Sequence, residues 1–593
     1  MTRRDMLGLL AVGVSDSRAQ ESSRQQSSGM TSRGLAPQPR GKPSGLPFHA
    51  KFTDIAAQAG LHEPVIYGPV GRVDYILESM GCGVAFFDYD NDGWLDILVL
   101  SGTRRDGPVA GATNRLYKNN RDGTFTDVTK QAGLTRQSWS CGVTIGDYNN
   151  DGFDDIFISE WGQNVLYRNN GNGTFTDVTR QAGLLRGERR WGTGCTWLDY
   201  NRDGLLDLFV SHYVVFDFQS IPATGRNPNC NFGGVPVYCG PGSLAPERCL
   251  LYRNNGNGTF TDVSRSAGIE RAAPAYGLTA MAADFFGTGW PDIYVACDSK
   301  PSLLFRNQQD GSFAEQGLEL GVAVNEDGTE QAGMGLGLGD FDTDGALDLL
   351  KTNFSGDTTG LYRNIGRGGF DDVTSRSGLG VETRYVGWGA GIQDFDNDGL
   401  PDLFWATGSV YPEVEKTRSD YPFKTPRVLF RNLGHGKFEE LMAEAGPGIS
   451  EAHSSRGVAF GDFDNDGDMD ILIMNVNEPP SLLRNDASGG GHWLKVKLIG
   501  TKSNRSAIGA TVIATYGGRR QAQAVTAQSS YLSVNDRRLH FGLGGASSAD
   551  LEIRWPSGLR ESAKAVSADH LITVREGAGV IKVESFAAPR QGR

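Results

Sequence analysis

The sequence predicts an all-β protein: a seven-bladed β-propeller followed by a small β-sandwich. Three observations carry that prediction. A nine-residue aspartate-rich loop recurs, beginning at Asp88, Asp147, Asp199, Asp284, Asp340, Asp394 and Asp462. A second motif follows most copies, as in "LYKNNRDGTFTDVTKQAGL" from Leu116 and "LYRNNGNGTFTDVTRQAGL" from Leu166. The two ends of the repeat array are incomplete in complementary ways: "FTDIAAQAGL" at Phe52 has no first half, and the seventh unit lacks its last strand. An N-terminal strand that completes the final unit closes a ring, and an open solenoid has no use for such complementarity.

Each unit parses into four short strands. A glycine-rich apolar stretch such as "GVAFFD" enters the aspartate loop and "DILVL" leaves it. "RLYKN" then turns through an Asn/Gly pair into "TFTDVT". Runs rich in Val, Ile, Phe and Tyr between Asn-Gly or Asp-Gly turns are strand and hairpin signals. The propeller is expected over residues 48–487, with an insertion at about 212–249 in its third unit. The tail from His492 reads as about seven alternating strands, a β-sandwich over 490–578 with Phe541 and Trp555 in its core, and 579–593 is left as a tail.

The N-terminus carries Arg3 and Arg4 before a short apolar run, the layout of an export signal over 1–19, with paired arginines pointing to the twin-arginine route. Residues 20–47 are rich in Ser, Gln, Arg, Pro and Gly, and read as a disordered linker. No segment approaches the roughly 20 apolar residues of a membrane span. The formal charge of −13 argues against nucleic acid, whose phosphates attract basic surfaces, and fits cationic ligands, metal ions included.

Within the loops, carboxylates at positions 1, 3, 5 and 9 converge through a glycine turn, with a backbone carbonyl at position 7. Hard oxygen ligands at that spacing suit Ca²⁺. Six sets qualify: Asp88, Asp90, Asp92 and Asp96; Asp147, Asn149, Asp151 and Asp155; Asp199, Asn201, Asp203 and Asp207; Asp340, Asp342, Asp344 and Asp348; Asp394, Asp396, Asp398 and Asp402; and Asp462, Asp464, Asp466 and Asp470. The fourth unit, "DFFGTGWPD", places Phe286 and Thr288 at ligand positions, so no ion is expected there. About six Ca²⁺ ions would nearly cancel the formal charge, and chelation is expected to destabilise the protein.

The repeats resemble the FG-GAP/VCBS repeats of integrin α-subunit propellers and of many secreted bacterial proteins. "HWLKVKLIGTKSNRSAIGATV", "SSYLSVNDRRLHFGLG" and "LEIRWPSG" resemble the ASPIC/UnbV domain of the cartilage acidic protein family and its bacterial relatives. The resemblance implies an exported, calcium-binding protein engaged in extracellular interaction. Cys230 and Cys239 would close a small loop once exported, a pattern that also looks like the family's. Cys82 and Cys141 are expected to pack as small core residues. The count of seven cysteines leaves at least one thiol free or paired between chains.

If the aspartate loops occupy one face of the ring, the other connections share the second, and ligands are expected there. That face would carry Trp139, Arg190, Trp191, Tyr385, His453 and Arg456, together with Glu78, Gln331 and the loops around Trp161, His212 and Tyr411. The first expectation is a calcium-loaded binder of an extracellular protein or glycan, without catalysis. The alternative is an extracytoplasmic enzyme acting on polysaccharide through His453, Arg456 or His212. A scaffold whose ligands are its ions is a third.

Overall fold

The computed structural model describes residues 32–586, apart from 108 and 490. The expected export signal, the first part of the linker and the last seven residues lie outside the described residues. Among the described residues the repeat array forms five four-stranded antiparallel sheets and one eight-stranded sheet, in which the second and third repeat units are joined. The first unit consists of Val84–Phe87, Asp96–Val99, Arg115–Asn119 and Phe125–Asp127. In the last, Ser455–Gly461, Asp470–Asn475 and Ser481–Asn485 are completed by the N-terminal strand Phe52–Asp54, in the register Phe52↔Asn485. The second and third units share one sheet through the pairs Arg190↔Gly162 and Trp191↔Trp161.

One asparagine per unit, the last residue of its third strand, links neighbouring units. Its side-chain NH2 donates to the carbonyl of the second loop residue in the preceding unit: Asn169 to Tyr89, Asn254 to Tyr148, Asn307 to Tyr200, Asn364 to Phe285, Asn432 to Phe341 and Asn485 to Phe395, at 2.7–2.9 Å. Asn119 of the first unit donates to Phe463 of the last, at 2.9 Å. The chain of bonds therefore returns to its start. Each of these groups is buried and would lose stability if left unpaired.

Among the described residues the C-terminal domain is an eight-stranded sandwich. One sheet runs Leu539–Gly544, His492–Ile499, His570–Arg575, Gly579–Glu584, and the other Arg519–Ala524, Thr511–Tyr516, Ser548–Arg554, Arg560–Ser567. Its last strand lies beyond residue 578, where the sequence had placed only a tail. Phe541 and Trp555 are buried in its core.

A segment of the sandwich, Gln528–Asn535, fills the centre of the ring and meets all seven inner strands. Val534 bridges Ala85 of the first. Val143 of the second donates to the Leu532 carbonyl at 3.1 Å. Gln528 Oε1 accepts from Cys195 and Ala280, of the third and fourth, at 3.0 and 3.4 Å. Leu336 of the fifth donates to the Ser530 carbonyl at 2.6 Å, and the Tyr531 ring meets Trp388 of the sixth at 4.9 Å. Phe460 of the seventh donates to Asn535 Oδ1 at 3.1 Å. The approach is so close that a Cβ at Gly83 would lie 1.8 Å from the Leu532 carbonyl oxygen. Ser530 and Leu532 both adopt left-handed backbone, φ 58° and 56°, a conformation that costs energy for L side chains and is held by the surroundings.

Residues 32–47 contain no helix or strand, as their composition implies, but they are not free, which corrects the linker expectation for this part. Arg33 pairs with Asp357 and Asp327 at 2.6 and 2.8 Å, Gln38 donates to Gly380, and Arg431 donates to the Leu46 carbonyl at 2.6 Å. Low hydrophobicity removes burial as a driving force, yet charge-assisted hydrogen bonds hold the segment against the outer strands.

Candidate metal loops and the two faces of the ring

The aspartate loops owe their shape to the chain itself. Position 4 is left-handed in all six complete copies, at Asn91, Asn150, Arg202, Thr343, Asn397 and Asn465. The first aspartate accepts the N–H groups of positions 5 and 6; Asp462 takes those of Asp466 and Gly467, both at 3.0 Å. The ninth is buried and joins the loop to the third strand: Asp470 accepts from Asn485 at 2.8 Å and from Phe463 at 3.2 Å.

Four loops bring three carboxylate oxygens within 4.8 Å of one another: Asp88, Asp90 and Asp96; Asp340, Asp342 and Asp344; Asp394, Asp396 and Asp402; Asp462, Asp464 and Asp470. In the loops at Asp147 and Asp199, Asn149 and Asn201 occupy the third position and donate to Asp151 and Asp203 at 2.8 and 2.9 Å, so an amide meets a carboxylate where the others set two carboxylates together. The test of fit for a cation is the third position itself. Asp90, Asp342 and Asp464 each keep one buried oxygen, Oδ1, without a hydrogen-bond partner. Buried acceptors are rarely left so, and a divalent ion among them would supply the missing partner.

Burial, then the neighbouring carboxylates, push Asp96 and Asp464 up to about 8. Asp394 and Asp402 are raised well above the usual range for the same reasons. Basic side chains offset part of this repulsion. Lys118 reaches Asp90, Arg363 reaches Asp342 and Asp344, and the fully buried Lys495 of the sandwich pairs with Asp462. In the fourth unit, where two ligands are missing, Arg306 lies 4.0 Å over the Phe286 ring with its Nε 3.3 Å from Asp292. A guanidinium thus stands beside the one aspartate left buried there.

The sandwich covers this loop face, an arrangement the sequence did not reveal. Ser506 accepts from the Asp147 N–H at 2.9 Å, Ala522 donates to Asp340, Arg519 to the Asp398 carbonyl and Arg202 to the Pro556 carbonyl. A Cβ at Gly542 would lie 1.8 Å from Asp394 Oδ2. Over the loops of the seventh, first and second units a cleft of about 1160 Å³ remains, lined by Asp88, Trp94, Asp466, Lys497, Arg505 and Lys582 among others.

The second face is capped, and the residues expected to meet a ligand there are buried or already paired. Trp139, Trp191 and Arg456 are buried. Arg456 donates to the carbonyls of Ser79, Ser409 and Ser455 at 2.8–3.1 Å and stacks on Trp388; it joins three units rather than awaiting a ligand. Glu78 and Gln331 are buried too, and bond to Tyr75 and Asp357. Arg190 lies beside Glu247 at 3.6 Å, Tyr385 is stacked under Arg384, and His453 pairs with Glu478 at 3.0 Å. The cause is the insertion. Phe216 packs on Trp161 and Trp191, Phe232 on Tyr421, and Tyr238 on Tyr411, so it spans the mouth from the third unit to the sixth. Cys230 and Cys239 are disulfide-bonded within it; Cys82, Cys141, Cys195, Cys249 and Cys297 are free and buried.

An FG-GAP-like repeat model matches residues 88–158, 147–210, 284–351 and 419–473, and the ASPIC and UnbV model matches residues 500–581. The chain is an FG-GAP-repeat protein with an ASPIC/UnbV domain. Cartilage acidic protein 1 of Mus musculus is 26% identical over 528 residues, covering 84% of this chain and 74% of that protein. The Homo sapiens protein of the same name is 27% identical over 354 residues, 58% of this chain and 49% of its own length. Among solved structures, the lectin BP39L from Burkholderia pseudomallei aligns at a TM-score of 0.42 and 8% identity, over 69% of this chain and 97% of that one. The matched ASPIC/UnbV stretch contains the whole segment that fills the ring. Among the described residues no helix is long and apolar enough to cross a membrane.

Proposed function

We propose that this FG-GAP-repeat protein is an exported, calcium-dependent binding protein. Its ions hold the loop face and the ASPIC/UnbV domain together, and it engages an extracellular protein or glycan. The observation that carries the calcium reading is the repeated one: a cluster of convergent aspartates with a buried, partnerless oxygen at position 3. The six loop sets named above would hold the ions, with the loops at Asp88, Asp340 and Asp462 the best supported because each keeps a partnerless oxygen among its clustered carboxylates. Calcium supplies positive charge and accepts oxygen ligands from protein and, where a position stays open, from a partner. The disulfide supports export, since such bonds persist in oxidising compartments. The cleft beside Asp88 and Trp94, rather than the capped mouth, is the surface open to a partner.

Burial and pairing of the residues named for the enzyme alternative favour the binding reading. His212 and Arg456 are buried, with burial holding the His212 imidazole down to about 3, and His453 Nδ1 is taken by Glu478, which leaves Nε2 as its one open nitrogen. The experiment is a metal count on the dialysed protein with thermal unfolding in calcium and in chelator. Bound calcium at four to six equivalents with a marked fall in Tm on chelation supports the reading. A metal-free protein with an unchanged melting curve overturns it.

A further inference from the structure

We propose that Asp54, Glu451 and His453 form a second kind of metal site, one for a transition-metal ion such as Zn²⁺, at the seam where the ring closes. One ligand atom of each lies within 4.8 Å of the others. The site is independent of the aspartate loops and differs from them in chemistry, because imidazole nitrogen suits zinc, copper or nickel and not calcium.

His453 is set up for the task. Its Nδ1 lies 3.0 Å from Glu478 Oε2; with Nδ1–H donating to that carboxylate, the Nε2 lone pair is left for the cluster. That carboxylate–histidine pairing orients metal-bound imidazoles generally. Nε2 is buried, has no hydrogen-bond partner, and lies 3.8 Å from Glu451 Oε1. Asp54 Oδ1 accepts the N–H groups of Ala56 and Leu482 at 3.0 and 3.2 Å, which leaves Oδ2 for another partner. Glu451 is the exposed member and the one free to swing inward to bonding distance.

Two cations stand nearby and are already committed: Lys424 pairs with Glu478, while Arg427 donates to the carbonyls of Gly448 and Glu451 and to Ser481. Asp54 ends the strand that completes the seventh unit, and His453 precedes that unit's inner strand. A metal held by both would clamp the N-terminal strand onto the ring. Three protein ligands leave a fourth position for water in tetrahedral zinc.

The test is Zn²⁺ titration of the full protein in saturating Ca²⁺, which occupies the aspartate loops, read by competition with a chromophoric chelator. The wild type is expected to bind one equivalent. Glu451→Gln, an exposed and structurally mild change, and His453→Ala are each expected to lose it, and Glu478→Gln to weaken it about 10–100-fold. Slower hydrogen exchange at residues 52–54 on adding Zn²⁺ reads the clamp directly. No zinc bound in calcium-saturated wild type, or undiminished binding in both Glu451→Gln and His453→Ala, overturns the proposal.

Discussion

At Asn485 the side-chain NH2 reaches the Phe395 carbonyl of the preceding unit while the backbone N–H holds Asp470. The six counterparts do the same, so one residue type joins each loop to its own strand and to its neighbour. Asn254 donates to two carbonyls, those of Tyr148 and Leu206. Asn254→Ala leaves both bare, at about 1–3 kcal/mol for each unsatisfied buried group; urea unfolding should show a loss of that size. Asp464→Asn removes a charged oxygen from a candidate ion site, and the bound-calcium count should fall by about one. The aspartates were legible in the sequence because their ligands lie within nine residues. The asparagines stood in the quoted "LYRNN" motif, but their role was hidden, since each partner belongs to another unit and Phe463 lies 344 residues from Asn119.

The segment Gln528–Asn535 and the insertion over the second face close the two ends of the ring's centre. Tyr531 is fully buried, with its hydroxyl donating to the Met80 carbonyl at 3.1 Å. Truncating a large buried aromatic costs about 3–5 kcal/mol, so Tyr531→Ala should lower stability by that amount, visible as a shifted denaturation midpoint with an unchanged slope. On the opposite side, the Cys230–Cys239 bond closes a short loop, worth about 2–3 kcal/mol in chain-entropy terms. Reductant should therefore loosen the cap and shift tryptophan emission to the red as Trp161 and Trp191 gain water. The sequence gives the insertion's length and its cysteines but not its destination. That is set by aromatic partners on the second, third and sixth units, which no local pattern connects. Likewise "SSYLSVNDRR" reads as one more piece of the sandwich, and only its burial among seven inner strands shows what it does.

Over the whole molecule the aspartate loops make stability depend on pH in opposite senses with and without calcium. In the calcium-free protein, burial raises Asp96 and Asp464 to about 8 and Asp199 and Asp340 to about 7, against about 3.9 in an unfolded chain. Groups with raised pKa take up protons on folding, so stability falls as pH rises from about 4 to about 8. Calcium requires the deprotonated forms, so the stability it confers grows over that range. Melting in chelator should give a higher Tm near pH 5 than near pH 8, and the gain from added calcium should be largest near pH 8. A single site at a hundredfold excess over its Kd contributes about 2.7 kcal/mol, so several occupied loops would dominate the total.

The pairing of Phe52 with Asn485 has a consequence for how the molecule is made. A ribosome delivers Phe52 early, yet its partner strand emerges only when nearly the whole ring has been translated, and Val534, which bridges Ala85, comes later still. Contacts so distant along the chain form slowly. Until they do, the nascent units display unpaired strand edges that invite wrong partners. A product that ends before residue 528 lacks the segment that fills the centre, and one that ends before residue 481 lacks the strand that pairs with Phe52–Asp54. The fold is therefore complete only when the last domain has been made, because both its closing strand pair and its central segment wait for distant parts of the chain.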